Sequence, residues 1–153
     1  FAQGKAEDYP PSRRRRPTPH YDVSAGVIWR DDQILIAQRP LDGLLGGLWE
    51  FPGGKQQAGE TLRECLKREL REELDIEVEV GEQIIVVQHA FTHFRITAYA
   101  FECRYVSEGE PQALGVRAWQ WVDLAELDDY ALPVVDRKIA AVVGDAWRQA
   151  RLI

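Results

Sequence analysis

Hydrophobic and polar positions change rhythm several times along the chain, and each rhythm predicts an element. From residue 21 the period is two: Val23, Ala25, Val27 and Trp29 alternate with Asp22, Ser24 and Arg30, as in a half-buried strand. The pair Asp31-Asp32 predicts a turn into Gln33-Ile34-Leu35-Ile36-Ala37-Gln38, so the first two strands form a hairpin. Residues 39–47 are glycine-rich and read as a loop. Leu48-Trp49-Glu50-Phe51 is a short strand that delivers the chain into a glycine turn at Gly53-Gly54. There the period becomes helical, with Leu66, Leu70 and Leu74 forming one apolar stripe. Residues 77–90 and 94–105 follow as two more strands, the second setting Phe94, Ile96, Ala98 and Ala100 against Arg95, Thr97, Tyr99 and Phe101. Residues 118–122 make another, with Trp119 and Trp121 on one face and Gln120 on the other. A closing helix over about 134–150 stands behind Pro133, which suits a helix start. Strands with one helix after the third and another at the end predict an α/β sandwich, a mixed β-sheet between α-helices.

Composition bounds this picture without redirecting it. A chain of 153 residues that is 45% hydrophobic and holds five Trp can bury one sizeable core, so one domain is expected over residues 20–153. Residues 1–19 carry four prolines and the run Arg13, Arg14, Arg15 and Arg16. They lack any periodicity that could bury a face and read as a basic linker, the arginines serving either as a solubilising run or as phosphate contacts. His20, at the boundary, reads as a linker residue. There is no methionine, at position 1 or elsewhere, which predicts that the chain is part of a longer product. The net charge of −6 argues against wholesale nonspecific binding of nucleic acid but leaves room for a local basic patch. Cys65 and Cys103 offer neither a disulfide framework nor a metal quartet, and read as buried thiols of a cytoplasmic protein. No apolar run approaches the ~20 residues of a membrane span, no signal peptide is visible, and a monomer is expected.

Candidate chemistry lies in the helix. Glu69, Glu72 and Glu73 fall at i, i+3 and i+4, so they share one helical face. Three carboxylates that close repel unless something neutralises them, and a hard cation such as Mg²⁺ or Mn²⁺ takes carboxylate oxygens readily. Lys67, Arg68 and Arg71 are interleaved with these acids, so a solvated face of i,i+4 ion pairs is the plainer alternative. The flanks favour the metal. Gly54, Glu60 and the run Arg68-Glu69-Leu70-Arg71-Glu72-Glu73-Leu74-Asp75-Ile76 resemble the signature of the Nudix hydrolase family, Gly-x5-Glu-x7-Arg-Glu-U-x-Glu-Glu-x-Gly-U with U hydrophobic, except that Asp75 stands where the family has glycine.

The resemblance implies the Nudix fold, and cleavage of a nucleoside diphosphate linked to another group with Mg²⁺ or Mn²⁺. It implies ion ligands at Glu69, Glu72 and Glu73 and at a backbone carbonyl of Gly53 or Gly54, with Arg68 and Glu60 orienting them. Asp75 is expected to adopt the left-handed conformation at modest cost.

Outside that signature the chain resembles one branch, the C-terminal domain of A/G-specific adenine DNA glycosylases. The likeness lies in Gln38-Arg39-Pro40, Gly46-Gly47-Leu48-Trp49-Glu50-Phe51-Pro52, His89-Ala90-Phe91-Thr92-His93-Phe94 and Tyr130-Ala131-Leu132-Pro133. It implies a DNA-repair role in which Phe91, Thr92 and His93 reach 8-oxoguanine opposite adenine; the plainer reading makes Phe91 and Phe94 strand-end packing and His93 a turn cap. Two departures pull apart. The glycosylase domains commonly have a decayed signature, whereas all its carboxylates survive here. Enzymes that sanitise the free nucleotide pool carry an additional glutamate where this chain has Leu114, Gly115 or Val116, and lack of a general base costs roughly 10²–10⁴-fold in rate. The glycosylase recognition module is the favoured expectation. The alternative is a Mg²⁺-dependent pyrophosphohydrolase, a diphosphatase of nucleoside triphosphates, oxidised ones among them.

Overall fold

The structure is a computed structural model that describes residues 18–151. Arg13, Arg14, Arg15 and Arg16 therefore lie outside the described residues.

Seven strands build one mixed sheet. In chain order they are β1 (His20–Arg30), β2 (Gln33–Gln38), β3 (Trp49–Glu50), β4 (Gly53–Lys55), β5 (Val78–Ala90), β6 (Arg95–Tyr105) and β7 (Ala118–Asp123). The helices are α1 (Leu62–Leu74), a 3₁₀ turn over Leu124–Asp129, and α2 (Val134–Arg151). Strands run in the order β3-β2-β1-β6-β5, with β4 also paired to β1 and β7 to β2. The expected hairpin is present, with Trp29 opposite Ile34 and Arg30 opposite Gln33, and Asp31 turns the chain at φ 56°. β1 and β6 run parallel from His20 opposite Arg95 to Trp29 opposite Arg104, so the central pair is enclosed on both faces, as parallel strands require.

Alternation along the strands feeds two apolar layers. On one face Ala25, Val27, Ile34, Ile36, Ala98 and Ala100 pack against Val135, Ile139 and Val143 of α2. On the other, Ile28, Leu35, Phe101 and Cys103 pack against Leu66, Leu70 and Leu74 of α1. The predicted sandwich of a mixed sheet between helices is thus the observed fold, and both cysteines are buried and unpaired by disulfide.

Two local expectations change, and one short element is added. His20 is not linker: it opens β1, and its Nε2 lies 2.8 Å from Thr97 Oγ1. The glycine turn is partly strand, since Gly53 and Gly54 pair with Ala25 and Ser24. The 3₁₀ turn was not legible because its six residues are too few to establish a period. Asp75 behaves as expected, capping α1 in the left-handed region at φ 56° while its N–H donates to Arg71 O.

Candidate functional site

The site begins with how α1 is started and stopped. Thr61 Oγ1 accepts from Glu64 N–H at 3.1 Å, and Glu64 Oε1 accepts from Thr61 N–H at 2.8 Å, a reciprocal cap that fixes the first turn. Beyond its end, the N–H groups of Leu114 and Gly115 donate to Glu73 O at 3.0 and 3.1 Å, and Gln112 N–H donates to Leu74 O at 2.8 Å. The helix is therefore pinned at both termini, with its leucine stripe buried and Glu69 turned toward Gly54 of β4.

β4 approaches α1 closely enough to exclude a side chain. A Cβ on Gly54 would lie 2.3 Å from the carboxyl carbon of Glu69, and one on Gly53 would lie 1.9 Å from Ser24 O. Only glycine leaves the Glu69 carboxylate beside the Gly54 peptide. Arg68 holds this arrangement from the side: its Nε and Nη2 donate to the two oxygens of Glu60 at 2.9 and 2.8 Å, a bidentate pair. Its Nη1 donates to Glu69 Oε2 at 3.2 Å and Glu72 Oε1 at 3.1 Å, and its Nη2 to Lys55 O at 3.1 Å. The Arg68 guanidinium, helped by Gln57 N–H, holds the Glu60 carboxyl well below the usual range, at about 2.

The acids of the face feel one another. Burial, then the charges of Glu69 and Glu50, push the Glu73 carboxyl up to about 8. Burial likewise raises Glu69, against the pull of Arg68, and raises Glu50, against the pull of Arg39. Glu50 is the acid that the sequence reading missed. It enters from β3, its Oε1 accepting from Arg39 Nη1 at 2.9 Å. A second missed acid, Asp136 in the first turn of α2, is buried, and its Oδ2 accepts from Phe51 N–H at 2.9 Å. Neither carries a spacing signal, because both reach the site only through tertiary contacts.

Hard oxygen donors crowded on one face, with Gly54 opening the room that a Cβ would fill, fit a divalent cation. Among the described residues no three acidic, histidine or cysteine side chains are already gathered as a metal cage; Glu69 and Glu72 instead face Arg68. Where the additional glutamate was sought, Gly115 packs on Glu73, and a Cβ there would meet Glu73 Cγ at 3.1 Å.

Phe91, Thr92 and His93 sit in the turn between β5 and β6, closed by Phe91 N–H donating to Phe94 O at 2.7 Å. Phe91 stacks on Phe94 at 4.7 Å between centroids and meets His89 edge-on at 4.6 Å, while Thr92 and His93 are exposed. Lys55 joins this turn to the glutamate face: its Nζ lies 4.1 Å from the Tyr21 ring centroid and 6.0 Å from that of Phe94, and its carbonyl binds Arg68.

Residues 24–142 match the family described as NUDIX domain. The chain is 40% identical over 115 residues to CTP pyrophosphohydrolase of Escherichia coli, an alignment covering 75% of this chain and 84% of that protein. It is 42% identical over 120 residues to putative 8-oxo-dGTP diphosphatase 2 of Mycobacterium tuberculosis, covering 75% and 82%. The solution structure of the E. coli ORF135 protein superposes with a TM-score of 0.73 at 36% identity, covering 88% of this chain and 94% of that one.

These relatives correct the favoured expectation of a glycosylase recognition module that reads 8-oxoguanine opposite adenine in DNA. The shared domain makes up most of each relative, and each is named for a reaction of a nucleotide. The stretches that suggested the glycosylase have roles in the fold itself: Trp49 N–H donates to Ala131 O at 2.9 Å and its ring meets Tyr130 edge-on at 5.2 Å. Phe91 and Phe94 are spent on each other. DNA repair and DNA binding have no support in these findings. Among the described residues, no helix is long and apolar enough to cross a membrane.

Proposed function

The chain belongs to the Nudix family, and on that premise we propose that it is a divalent-metal-dependent pyrophosphohydrolase of nucleoside triphosphates. Nudix hydrolases as a family use a divalent ion. In this reading Glu69, Glu72, Glu73 and the Gly54 carbonyl hold Mg²⁺ or Mn²⁺, which supplies Lewis-acid charge stabilisation at the phosphoryl group under attack. The observation that carries the reading is the meeting of Gly54 with Glu69 under the Arg68–Glu60 clamp.

The protein's own part follows from its contacts. Arg68, neutralised by Glu60, orients Glu69 and Glu72, as partners of metal ligands do. Burial leaves Glu73 reluctant to ionise alone, and its carboxylate would be favoured as a ligand to a bound divalent ion. Glu50, held by Arg39, adds a fourth acid to the same field and offsets in part the lack of one at Gly115. In this reading Thr92 and His93, exposed on the turn whose Phe94 ring Lys55 approaches, would contact the nucleotide base, with Phe91 as their packed support.

The activities for which these relatives are named suggest CTP and 8-oxo-dGTP as substrates to try, with dGTP as the unoxidised counterpart. Hydrolysis of at least one with Mg²⁺ is expected, with kcat/KM lowered by at least ~10²-fold in Glu69→Gln and Glu73→Gln. No glutamate-dependent turnover of any of the three would exclude the reading. His93→Ala is expected to raise KM for the preferred nucleotide with kcat little changed; an unchanged KM removes the turn from the base site.

A further inference from the structure

Residues 51–54, which lead into the proposed ion site, are fastened one after another. Pro52 O accepts from Gly26 N–H at 2.8 Å, Gly53 rests against Ser24 O, and Gly54 O lies 3.4 Å from the Cys65 thiol that donates to it. These three fastenings come from β1 and α1. The fourth, Phe51 N–H to Asp136 Oδ2, crosses from α2 on the opposite face of the sheet and joins residues 85 apart in the chain.

We infer that Asp136 is a positioning residue for the ion-binding turn: its carboxyl, fixed in the first turn of α2, sets the placement of Trp49 to Phe51 and through them the aim of Glu50 and of the Gly53 and Gly54 carbonyls. This inference rests on the pyrophosphohydrolase reading.

Docking of α2 against the strand does not by itself call for an acid. The segment before α2 is already attached by Trp49 N–H to Ala131 O and by the Trp49–Tyr130 ring contact. Asp136 is only 8% exposed, and burying a carboxyl is costly unless its hydrogen bonds are met. Three features reduce that cost. The positive end of the α2 dipole favours an anion in the first turn, Phe51 N–H donates to it, and the Arg39 guanidinium draws its charge. Glu50 opposes them, and burial dominates, pushing Asp136 up to about 7. Glu50 of β3, the N–H of Phe51 just after it and Arg39 just after β2 are the groups that face Asp136, together with its own N–H. The acid therefore acts on the backbone of Phe51, two residues before Gly53.

The test uses the whole chain, with Mn²⁺ affinity measured by calorimetry without nucleotide and steady-state kinetics measured alongside. Asp136→Ala is expected to weaken Mn²⁺ binding by about 10–100-fold and to lower kcat while KM for the nucleotide stays close to that of the parent. Asp136→Asn keeps a carbonyl oxygen for Phe51 N–H and is expected to restore both to within about threefold, well inside that range. Unchanged Mn²⁺ affinity in Asp136→Ala, whatever its melting temperature, overturns the inference, as does a change confined to KM. Should the alanine variant not fold, Asp136→Glu carries the test, because it moves the same charge by one methylene: weaker Mn²⁺ binding supports positioning and parent-like affinity overturns it. A parent chain that binds Mn²⁺ but hydrolyses no triphosphate refutes the catalytic reading and leaves the positioning claim to the Mn²⁺ data.

Discussion

Gly54 is the residue where an added side chain would meet a proposed ion ligand directly. A methyl group there falls on the Glu69 carboxyl, which is the far end of a flexible side chain and can swing aside. Gly54→Ala should therefore change stability by less than about 1 kcal/mol yet weaken Mn²⁺ binding by about 10-fold or more; calorimetry beside a thermal melt separates the two effects. Asp136 makes a second prediction at this scale. Its pKa rises from 3.8 to about 7 on folding, so between those values the native state binds more protons than the unfolded state, and stability falls as pH rises. That contribution is fully present below pH 3.8 and is lost through pH 7. Burial moves Glu50, Glu69 and Glu73 the same way. The melting temperature of the metal-free protein is thus expected to drop by roughly 5 °C or more from pH 5 to pH 8, and Asp136→Asn should flatten the slope. A melting temperature that rises over that interval would contradict the assigned shifts.

Among the elements, α1 is where sequence and structure agree most closely, and the reason is local. Its stripe, its acidic face and its left-handed end at Asp75 are set by neighbours within a few turns, so spacing alone exposes them. Asp75 in that conformation carries a backbone cost that glycine lacks. Asp75→Gly should raise stability by about 0.5–1 kcal/mol, seen as a higher denaturant midpoint with an unchanged slope; a lower midpoint would mean that the aspartate side chain contributes more than its backbone costs. The partners of α1 were less legible. Glu50 lies in a two-residue strand and Asp136 begins a helix 85 residues from its partner Phe51, distances over which no periodicity operates. β4 reads as a glycine turn because glycines have no side chain to alternate, although their backbones pair with β1.

For the whole molecule, the sheet brings three distant segments to one edge of α1: β4 with its glycines, β3 with Glu50, and the loop that sets Gly115 on Glu73. The glycosylase expectation went astray at this scale. Motifs such as Trp49-Glu50-Phe51 and Tyr130-Ala131-Leu132 are packed against each other, so sharing them reflects the sandwich rather than any particular ligand. The acids on α1 were the more informative signal, because packing gives no reason to crowd so many charges beside a glycine. The most direct test of the account is to separate the products of CTP and 8-oxo-dGTP after incubation with the protein and Mg²⁺. The account predicts nucleoside monophosphate and pyrophosphate from at least one of them, formed only with the divalent ion and lost in Glu73→Gln. Products formed equally in excess chelator, or equally by Glu73→Gln, would contradict it.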